Sequence, residues 1–484
     1  MTESAIPKLD HPARTQGATR GRGPLIAVTA IIGFSASAVM FMLTPLLPVL
    51  QQEFHLSVGD IAWVLTLLLI GGGVSTILLP RSADVLGDRG AATLGTVLLA
   101  IGAAIPGIFG TYPALLAGAG IMGLGTAASQ VGVGTLRRHL GEASIRTAVT
   151  VTQVAQAVGA GVGLVAGGLS LSHLSMQGFF LGATVVYAVV TLLAWVVIPS
   201  GARVRSAGFG IGNLAVLVAW IVALLYGIKS AAADGITEPK ALGFGAAGLA
   251  GAAVWIFLES RSSSPVFKLE LLKSPTVART VLAGFTIGLA IQSVTFLIPF
   301  YVQMSARSGY GFGYDALDTG LVLLPYSILG AVGGVAGGLL IARTRPLLIA
   351  GFGAICHATA AAVFITTISG AGSVVVAASI YGVGGGLVGV GLFGAIQKSV
   401  PRELAGMGTS MIGIILTISG ALGPAVYSSI LQAKSVAGLP GVPAQSQFFI
   451  CFAVAGICDL VVAAVCLTAR PRPVLAAVDQ RSSR

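Results

Sequence analysis

The chain contains about fourteen apolar runs, each close to the length that a helix needs to cross a bilayer. A hydrocarbon core of about 30 Å takes roughly 20 residues of helix. With 55% hydrophobic and only 9% charged residues, the chain cannot cover a water-exposed surface, because soluble domains carry about 25% charged residues. We therefore predict an all-α polytopic membrane protein. Its spans are expected at residues 24–50, 61–79, 91–110, 113–135, 147–169, 178–198, 211–228, 241–258, 280–303, 316–342, 347–368, 373–396, 404–431 and 447–469.

The basic residues fall unevenly on the two sides that these spans define. An even number of spans puts both termini on one side, and 23 of the 27 Lys and Arg residues lie on that side. Cytoplasmic loops retain Lys and Arg, so we expect cytoplasmic termini in a cell (inner) membrane protein. The net charge of +11 then reflects topology and does not indicate a nucleic-acid partner. The four basic residues expected outside are Lys229, Lys240, Arg307 and Lys434.

The spans divide into groups of six, two and six. This grouping predicts two six-helix bundles and an inserted two-helix hairpin. The hairpin is nearly uniformly apolar, so we expect it to face lipid outside both bundles and to contribute nothing to a central cavity. The expected segments are a cytoplasmic tail at 1–23, a first bundle at 24–198, inserted helices at 199–258, a linker at 259–279, a second bundle at 280–469 and a tail at 470–484.

Four of the five glycines in the fifth predicted span suggest close helix packing. Gly159, Gly163 and Gly167 recur every four residues and share one face of a helix, and Gly168 adjoins them. Small residues let two membrane helices approach closely. Simple packing explains this pattern as well as a specialised function does.

Several motifs together resemble the 14-helix drug:proton antiporter branch of the major facilitator superfamily. The segment PRSADVLGDRG at 80–90 resembles G-x-x-x-D-R-x-G-R-[RK]: Asp84, Gly87 and Arg89 match, whereas Pro80, Val85 and Asp88 do not. The glycine segment GAGVGLVAGG is similar to G-x-x-x-G-P-x-x-G-G, with leucine in place of proline. DIAWVLTLLLIGGG in the second span and SPVFKLELLKSP at 264–275 also resemble that branch. The resemblance covers residues 24–469.

The resemblance implies secondary active export of hydrophobic, drug-like or lipid-like molecules by alternating access, coupled to protons. It also implies that Asp84 lies at the cytoplasmic seam between the bundles, near residues 406–409. Uncharged polar and aromatic residues on the implied cavity helices become candidate substrate contacts, with an interhelical hydrogen bond or core packing as the equal alternative for each. They are Trp63, Gln130, Gln153, Gln156, Gln292, Phe296, Phe300, Tyr326 and Tyr381.

Two departures from the family pattern bear on mechanism. The branch usually carries an acidic residue in the first span and an arginine in the fourth, where this chain has Val39 and Ala119. An apolar cavity favours neutral or amphipathic substrates, because an unpaired cation is costly there. An uncoupled facilitator and a non-transporting sensor or scaffold on a transporter fold stay open as alternatives.

An enzyme is disfavoured because the spans hold almost no His, Asp or Glu from which to build a catalytic cluster. The cysteines lie in apolar runs without metal-ligand spacing, so we expect buried thiols and neither a metal nor a cofactor. No nucleotide-binding loop is present. We expect a monomer whose partners are lipid, a small molecule and protons. The four cysteines are Cys356, Cys451, Cys458 and Cys466.

Two ionisable residues, His357 and Asp459, fall inside apolar spans. Both are predicted about 17 Å from the cytoplasmic surface, at 1.5 Å per residue. A charge at the bilayer centre costs roughly 2.5–3.5 kcal/mol on insertion scales, so Asp459 needs a partner or a proton. We predict a buried pair; the alternative is an aspartate bonded to backbone or hydroxyl groups, with His357 packed separately.

Overall fold

The computed structural model describes residues 22–171, 173–201, 211–235, 237–262, 269–368, 370–400 and 405–469, and nearly all of this is helical. The first part contains α1 (Arg22–Met42), α2 (Leu47–Glu53), α3 (Val58–Phe109), α4 (Tyr112–Gly125), α5 (Ala128–His139), α6 (Glu142–Leu171) and α7 (Met176–Val197). The inserted hairpin consists of α8 (Ile211–Asp234) and α9 (Pro239–Arg261).

The second part begins with α10 (Pro275–Gln292), which continues through a π-helical turn at Ser293–Leu297 into α11 (Ile298–Gln303). It continues with α12 (Ala316–Leu340), α13 (Pro346–Thr367), α14 (Ala371–Ser399), α15 (Ala405–Gln432) and α16 (Gln445–Leu467). Two short antiparallel strands, β1 (Ser435–Val436) and β2 (Leu439–Pro443), join α15 to α16.

Thirteen helices within the described ranges are long and apolar enough to cross a membrane, compared with the fourteen predicted. The difference lies in α3, whose 52 residues contain both predicted spans at 61–79 and 91–110. At 1.5 Å per residue α3 is about 78 Å long, more than twice the thickness of a hydrocarbon core. Its helix is interrupted at Gly87, where φ is +76° and ψ is 172°. The helix is therefore long enough for two crossings that meet at this glycine.

Helix ends on the basic side differ from the predicted segment boundaries by a few residues. Helix α1 begins at Arg22, α9 continues to Arg261, and α10 begins at Pro275. Arginine side chains can extend from a helix end into the polar interface, so charged residues need not end a helix. The tails at 1–21 and 470–484 lie outside the described residues.

The helices pack in two halves joined by two main contacts. In the first half, α1 packs on α6, and α3 packs on α4 and α7. In the second half, α14 packs on α12 and α13, α13 packs on α16, and α10 packs on α15. Between the halves, α3 meets α15 and α6 meets α12.

The contact between α6 and α12 is tight on one side of the molecule. We call the side where α1 begins the basic face and the side where α6 ends the opposite face. Near the opposite face, a Cβ on Gly320 of α12 would lie 2.3 Å from the carbonyl oxygen of Leu164 in α6. Gln303 of α11 also donates a hydrogen bond to the carbonyl oxygen of Pro45, at 2.8 Å. Direct backbone packing therefore closes the molecule at the opposite face.

The inserted helix α8 packs along the outer edge of the contact between α3 and α15. Leu217 and Ile221 of α8 pack in one apolar cluster with Ile70 of α3 and Ile414 of α15. Its other end carries Lys229, whose Nζ lies 2.6 Å from Oδ1 of Asp60 in α3. Most side chains of α9 are exposed, as expected of a helix that faces lipid.

Candidate functional site

A cavity of about 220 Å³ lies where the first half faces α15 of the second, and all but one of its lining residues belong to the first half. Gln156 is 14 residues from the start of α6 and Thr417 is 12 residues from the start of α15, which places the cavity roughly 18–21 Å from the basic face. Every residue that lines it is uncharged, and none comes from α8 or α9. The lining residues are Ala36, Ser37, Met40, Phe41, Gly72, Thr76, Thr126, Ala127, Ser129, Gln130, Gln156 and Thr417.

A break between α4 and α5 forms one wall of the cavity. Thr126 and Ala127 lie at this break, where the regular helix hydrogen bonds are interrupted. The hydroxyl of Ser75 in α3 donates to the carbonyl oxygen of Leu124 at 2.6 Å and accepts from the backbone N–H of Ala127 at 3.1 Å. Irregular backbone is tolerated at membrane depth when it lines a cavity and its polar groups are satisfied. Ser75 therefore fixes the shape of this wall.

Four of the predicted glutamines and tyrosines lie at the cavity or contact a residue that lines it. Gln130 and Gln156 line it, and the side-chain amide of Gln156 donates to that of Gln153 at 2.8 Å. Tyr326 of α12 contacts the ring of Phe41, a lining residue, with ring centroids 6.2 Å apart. The two lining amides can donate and accept hydrogen bonds, while Phe41 and Met40 provide apolar surface.

Other predicted cavity residues are placed in helix packing. Trp63 lies against Tyr226 of the inserted helix α8, with ring centroids 6.3 Å apart. Gln292 donates to the carbonyl oxygen of Gly420 at 3.1 Å and thereby joins α10 to α15. Phe296 and Phe300 are fully buried and contact each other, with centroids 5.0 Å apart. These four side chains therefore shape the packing around the cavity.

The segment at 80–90 that resembles the superfamily signature, with Asp84, Gly87 and Arg89 as its matching residues, lies at the bend of α3. Asp84 is exposed. Gly87 adopts a left-handed φ, and a Cβ there would lie 3.0 Å from the carbonyl oxygen of Gly201. Arg89 donates from Nε to the carbonyl oxygen of Ile198 at 2.8 Å. Gly87 and Arg89 thus hold the bend of α3 against the end of α7.

The predicted contact between Asp84 and residues 406–409 falls largely outside the described part of the chain. Residues 401–404 and the side chains at 405–407 are not described. The contact stays a prediction.

The buried carboxylate at this bend is Asp88, which sequence reasoning treated as a mismatch to the motif. Its side chain is 4% exposed and forms an ion pair with Arg138 of α5, with Arg138 Nε 3.1 Å from Asp88 Oδ2. His139 Nε2 lies 3.1 Å from the same oxygen. The sequence does contain a signal for this pairing. The fourth predicted span is followed by Arg137 and Arg138, and the topology places them on the same face as residues 80–90.

The glycines of the antiporter-like motif bring α6 into backbone contact with two helices. Gly159, Gly163 and Gly167 lie along α1, where added Cβ atoms would stand 2.3–2.6 Å from the carbonyl oxygens of Phe34, Ala38 and Met42. Gly168 lies instead against α12 of the other half. Three glycines of the motif therefore pack within a half, and the fourth packs between halves.

The structure brings His357 of α13 and Asp459 of α16 together. His357 Nδ1 lies 3.5 Å from Asp459 Oδ1, and both side chains are fully buried. The ring of Tyr381 packs edge-on against the imidazole, with centroids 5.0 Å apart. Val39 and Ala119, at the positions where the resembling branch carries an acid and an arginine, are also fully buried.

The family model for the major facilitator superfamily matches residues 29–424 of the chain. The chain belongs to this superfamily. Its members and relatives are transporters rather than enzymes, so this protein is a multi-pass membrane transporter with a small-molecule substrate.

Relatives of this transporter include proteins named for export and drug resistance. It is 27% identical to the "Tetracenomycin C resistance and export protein" of Streptomyces glaucescens over 398 residues, covering 80% of the chain and 72% of the relative. It is 24% identical to "Multidrug resistance protein Stp" of Mycobacterium tuberculosis over 391 residues, with the same two coverages.

Solved structures of transporters share its fold. The nucleoside transporter NupG aligns with a TM-score of 0.64 at 13% identity, covering 92% of this chain and 100% of that one. The human organic anion transporter MFSD10 aligns with a TM-score of 0.59 at 16% identity, covering 91% and 99%. At these identities the likeness concerns the fold alone.

Proposed function

We propose that this transporter exports neutral or amphipathic hydrophobic molecules by alternating access, in antiport with protons. The observation that carries the proposal is the uncharged lining of the cavity between the two halves. A cation without a paired carboxylate is costly at this depth, whereas an uncharged substrate avoids that cost. The amides of Gln130 and Gln156 can orient such a substrate by hydrogen bonding, and Met40 and Phe41 can contact its apolar part.

The packing between the halves supports alternating access. At the opposite face α6 and α12 meet through glycines, which allow the backbones to close tightly without interlocked side chains. At the basic end of α12, Val335 and Leu339 are exposed. Rocking of one half against the other would part the α6–α12 contact and open the cavity on the opposite face.

The proposed direction of transport rests on the relatives, and the proposed orientation in the membrane rests on the distribution of charge. The similar proteins are named for export or resistance. The excess of Lys and Arg on the basic face supports cytoplasmic termini in an inner membrane, with the opposite face outside. A monomer contains the whole cavity, since its lining comes from both halves of one chain.

An uncoupled facilitator is the second candidate, and a specific observation favours it. Val39 and Ala119 are apolar and fully buried at the positions where the resembling antiporters carry ionisable residues. Proton coupling must therefore use other groups or be absent.

Transport in proteoliposomes tests both candidates. The purified protein would be challenged with matched neutral and cationic dyes, with and without an imposed pH gradient. Antiport predicts transport of the neutral dyes in preference to the cationic ones, and accumulation that depends on the gradient. Dye equilibration that is unaffected by the gradient would favour the facilitator, and movement no faster than in empty liposomes would contradict both.

A further inference from the structure

We propose that His357 and Asp459 form the proton-binding site of this transporter. The inference rests on the proposed antiport function and assigns a residue pair to its coupling ion. These two ionisable side chains, each fully buried, face each other at 3.5 Å between α13 and α16.

The polar atoms of this pair have no other partner in the described structure. Apart from their contact with each other, neither ring nitrogen of His357 and neither carboxylate oxygen of Asp459 has a hydrogen-bond partner among the described residues. A purely structural buried polar pair is normally satisfied on every side, because each unsatisfied group carries its full desolvation cost. A pair whose atoms stay free of fixed partners can exchange a proton without breaking other bonds.

The groups around the pair carry no fixed charge. Tyr381 of α14 contacts the imidazole, while Tyr427 of α15 and Cys458 of α16 interact electrostatically with Asp459. Within the described ranges, His357 is the one group at ion-pair distance from Asp459 that can become a cation. The charge of the site is therefore set by how many protons the pair itself holds.

A dry pair of this kind should hold one proton. With one proton the pair is neutral overall, whether it exists as imidazolium and carboxylate or as imidazole and carboxylic acid. Loss of that proton leaves an isolated carboxylate, and gain of a second leaves an isolated cation, both costly without water. Release of the proton therefore requires a conformation that hydrates the pair, which ties proton occupancy to the conformational cycle.

Tyr381 connects the pair to the helices that form the cavity. Its hydroxyl oxygen accepts a hydrogen bond from Oγ of Ser293 at 3.4 Å, and Ser293 is the first residue of the π-helical turn between α10 and α11. Such turns are frequent at functional sites. Helix α10 packs on α15, which supplies Thr417 to the cavity lining. A movement of α15 that opens the cavity can therefore change the position of the pair through α10 and Tyr381.

Close backbone packing also makes the imidazole sensitive to a shift of α14. A Cβ on Gly384 would lie 2.6 Å from Cδ2 of His357. Because α14 has no side chain at this position, a small displacement changes the space around the imidazole and the access of water to it. Tyr381 and Gly384 are therefore positioning residues for the pair.

The test compares two modes of transport in the same proteoliposomes. Counterflow exchanges labelled for unlabelled substrate without a pH gradient, and gradient-driven transport requires proton movement. We expect Asp459→Asn and His357→Gln to keep counterflow but to lose gradient-driven accumulation by about tenfold or more. The matched control is Asp60→Asn, which removes a carboxylate paired with Lys229 away from the cavity and should keep both activities.

A spectroscopic measurement reports on the pair even if transport is lost. Infrared difference spectra of the full-length protein between acidic and alkaline pH should contain a carboxyl band that is absent in Asp459→Asn and shifted in His357→Gln. Identical spectra, or undiminished gradient-driven accumulation in both variants, would overturn the inference. A wild-type protein without counterflow would instead count against the proposed function, while the infrared result would still decide whether the pair binds a proton.

Discussion

Gly168 of α6 lies directly against Ala316 at the start of α12, so the two halves of the transporter meet there backbone to backbone. A Cβ on Gly168 would stand 2.3 Å from the carbonyl oxygen of Ala316, closer than any real contact of that kind. Neither helix can keep this position if a side chain is added. The closed state of the opposite face therefore depends on a glycine at position 168.

Gly168→Ala should shift the transporter toward states that are open at the opposite face. Overpacking of about 1–3 kcal/mol in the closed state corresponds to a population change of about 5- to 140-fold. Distances between spin labels at Leu174 and Arg307, both exposed at the opposite face, would report the shift. Gly182→Ala is the matched control, because nothing lies near Gly182. Unchanged distances in Gly168→Ala would contradict the role given to this contact.

Asp88→Asn should destabilise the first half of the transporter. The buried carboxylate pairs with Arg138, and its loss leaves Arg138 without its partner, at a cost of roughly 1–3 kcal/mol. Because Arg138 is about half exposed, the lower part of this range is expected. Thermal unfolding in detergent measures the effect. Asp84→Asn, at an exposed position, should leave the unfolding midpoint unchanged; an equal drop in both variants would argue against a special role of Asp88.

Gln156→Ala should weaken substrate binding without unfolding the protein. Loss of one neutral hydrogen bond to substrate is worth about 0.5–1.5 kcal/mol, which is a change in Kd of about 2- to 13-fold. Equilibrium binding of a transported dye to the purified protein would measure it. Gln177→Ala removes an exposed glutamine in α7 and serves as the control. Equal affinities for the wild type and Gln156→Ala would exclude this residue as a substrate contact.

Hydropathy predicted the helices well because the bilayer imposes one length and one composition on every span. The two spans predicted at 61–79 and 91–110 meet at Gly87, where the backbone is not helical. Hydropathy did not predict that helical structure continues through most of residues 80–90, because their polar side chains suggest a loop. The family and fold class followed from motifs and span grouping, and both are confirmed.

The direction of individual side chains around each helix was harder to predict. Trp63 and Gln156 are both on helices that border the cavity, yet Trp63 packs on the inserted hairpin and Gln156 lines the cavity. That difference depends on where α8 packs, which no local pattern encodes. The depth of a residue in the membrane was easier to predict, since counting residues from the helix ends placed His357 and Asp459 at similar depths.

A reversible crosslink between α6 and α12 tests alternating access most directly. A Cβ on Gly161 would lie 3.0 Å from Oγ of Ser327, so Gly161→Cys with Ser327→Cys should place two thiols within bonding reach. The background would replace Cys356, Cys451, Cys458 and Cys466, and each single variant would serve as a control. We predict that oxidation abolishes dye transport in proteoliposomes and that reduction restores it, because the cavity cannot open to the opposite face while the helices are joined. Full transport by the oxidised, crosslinked protein would contradict the account.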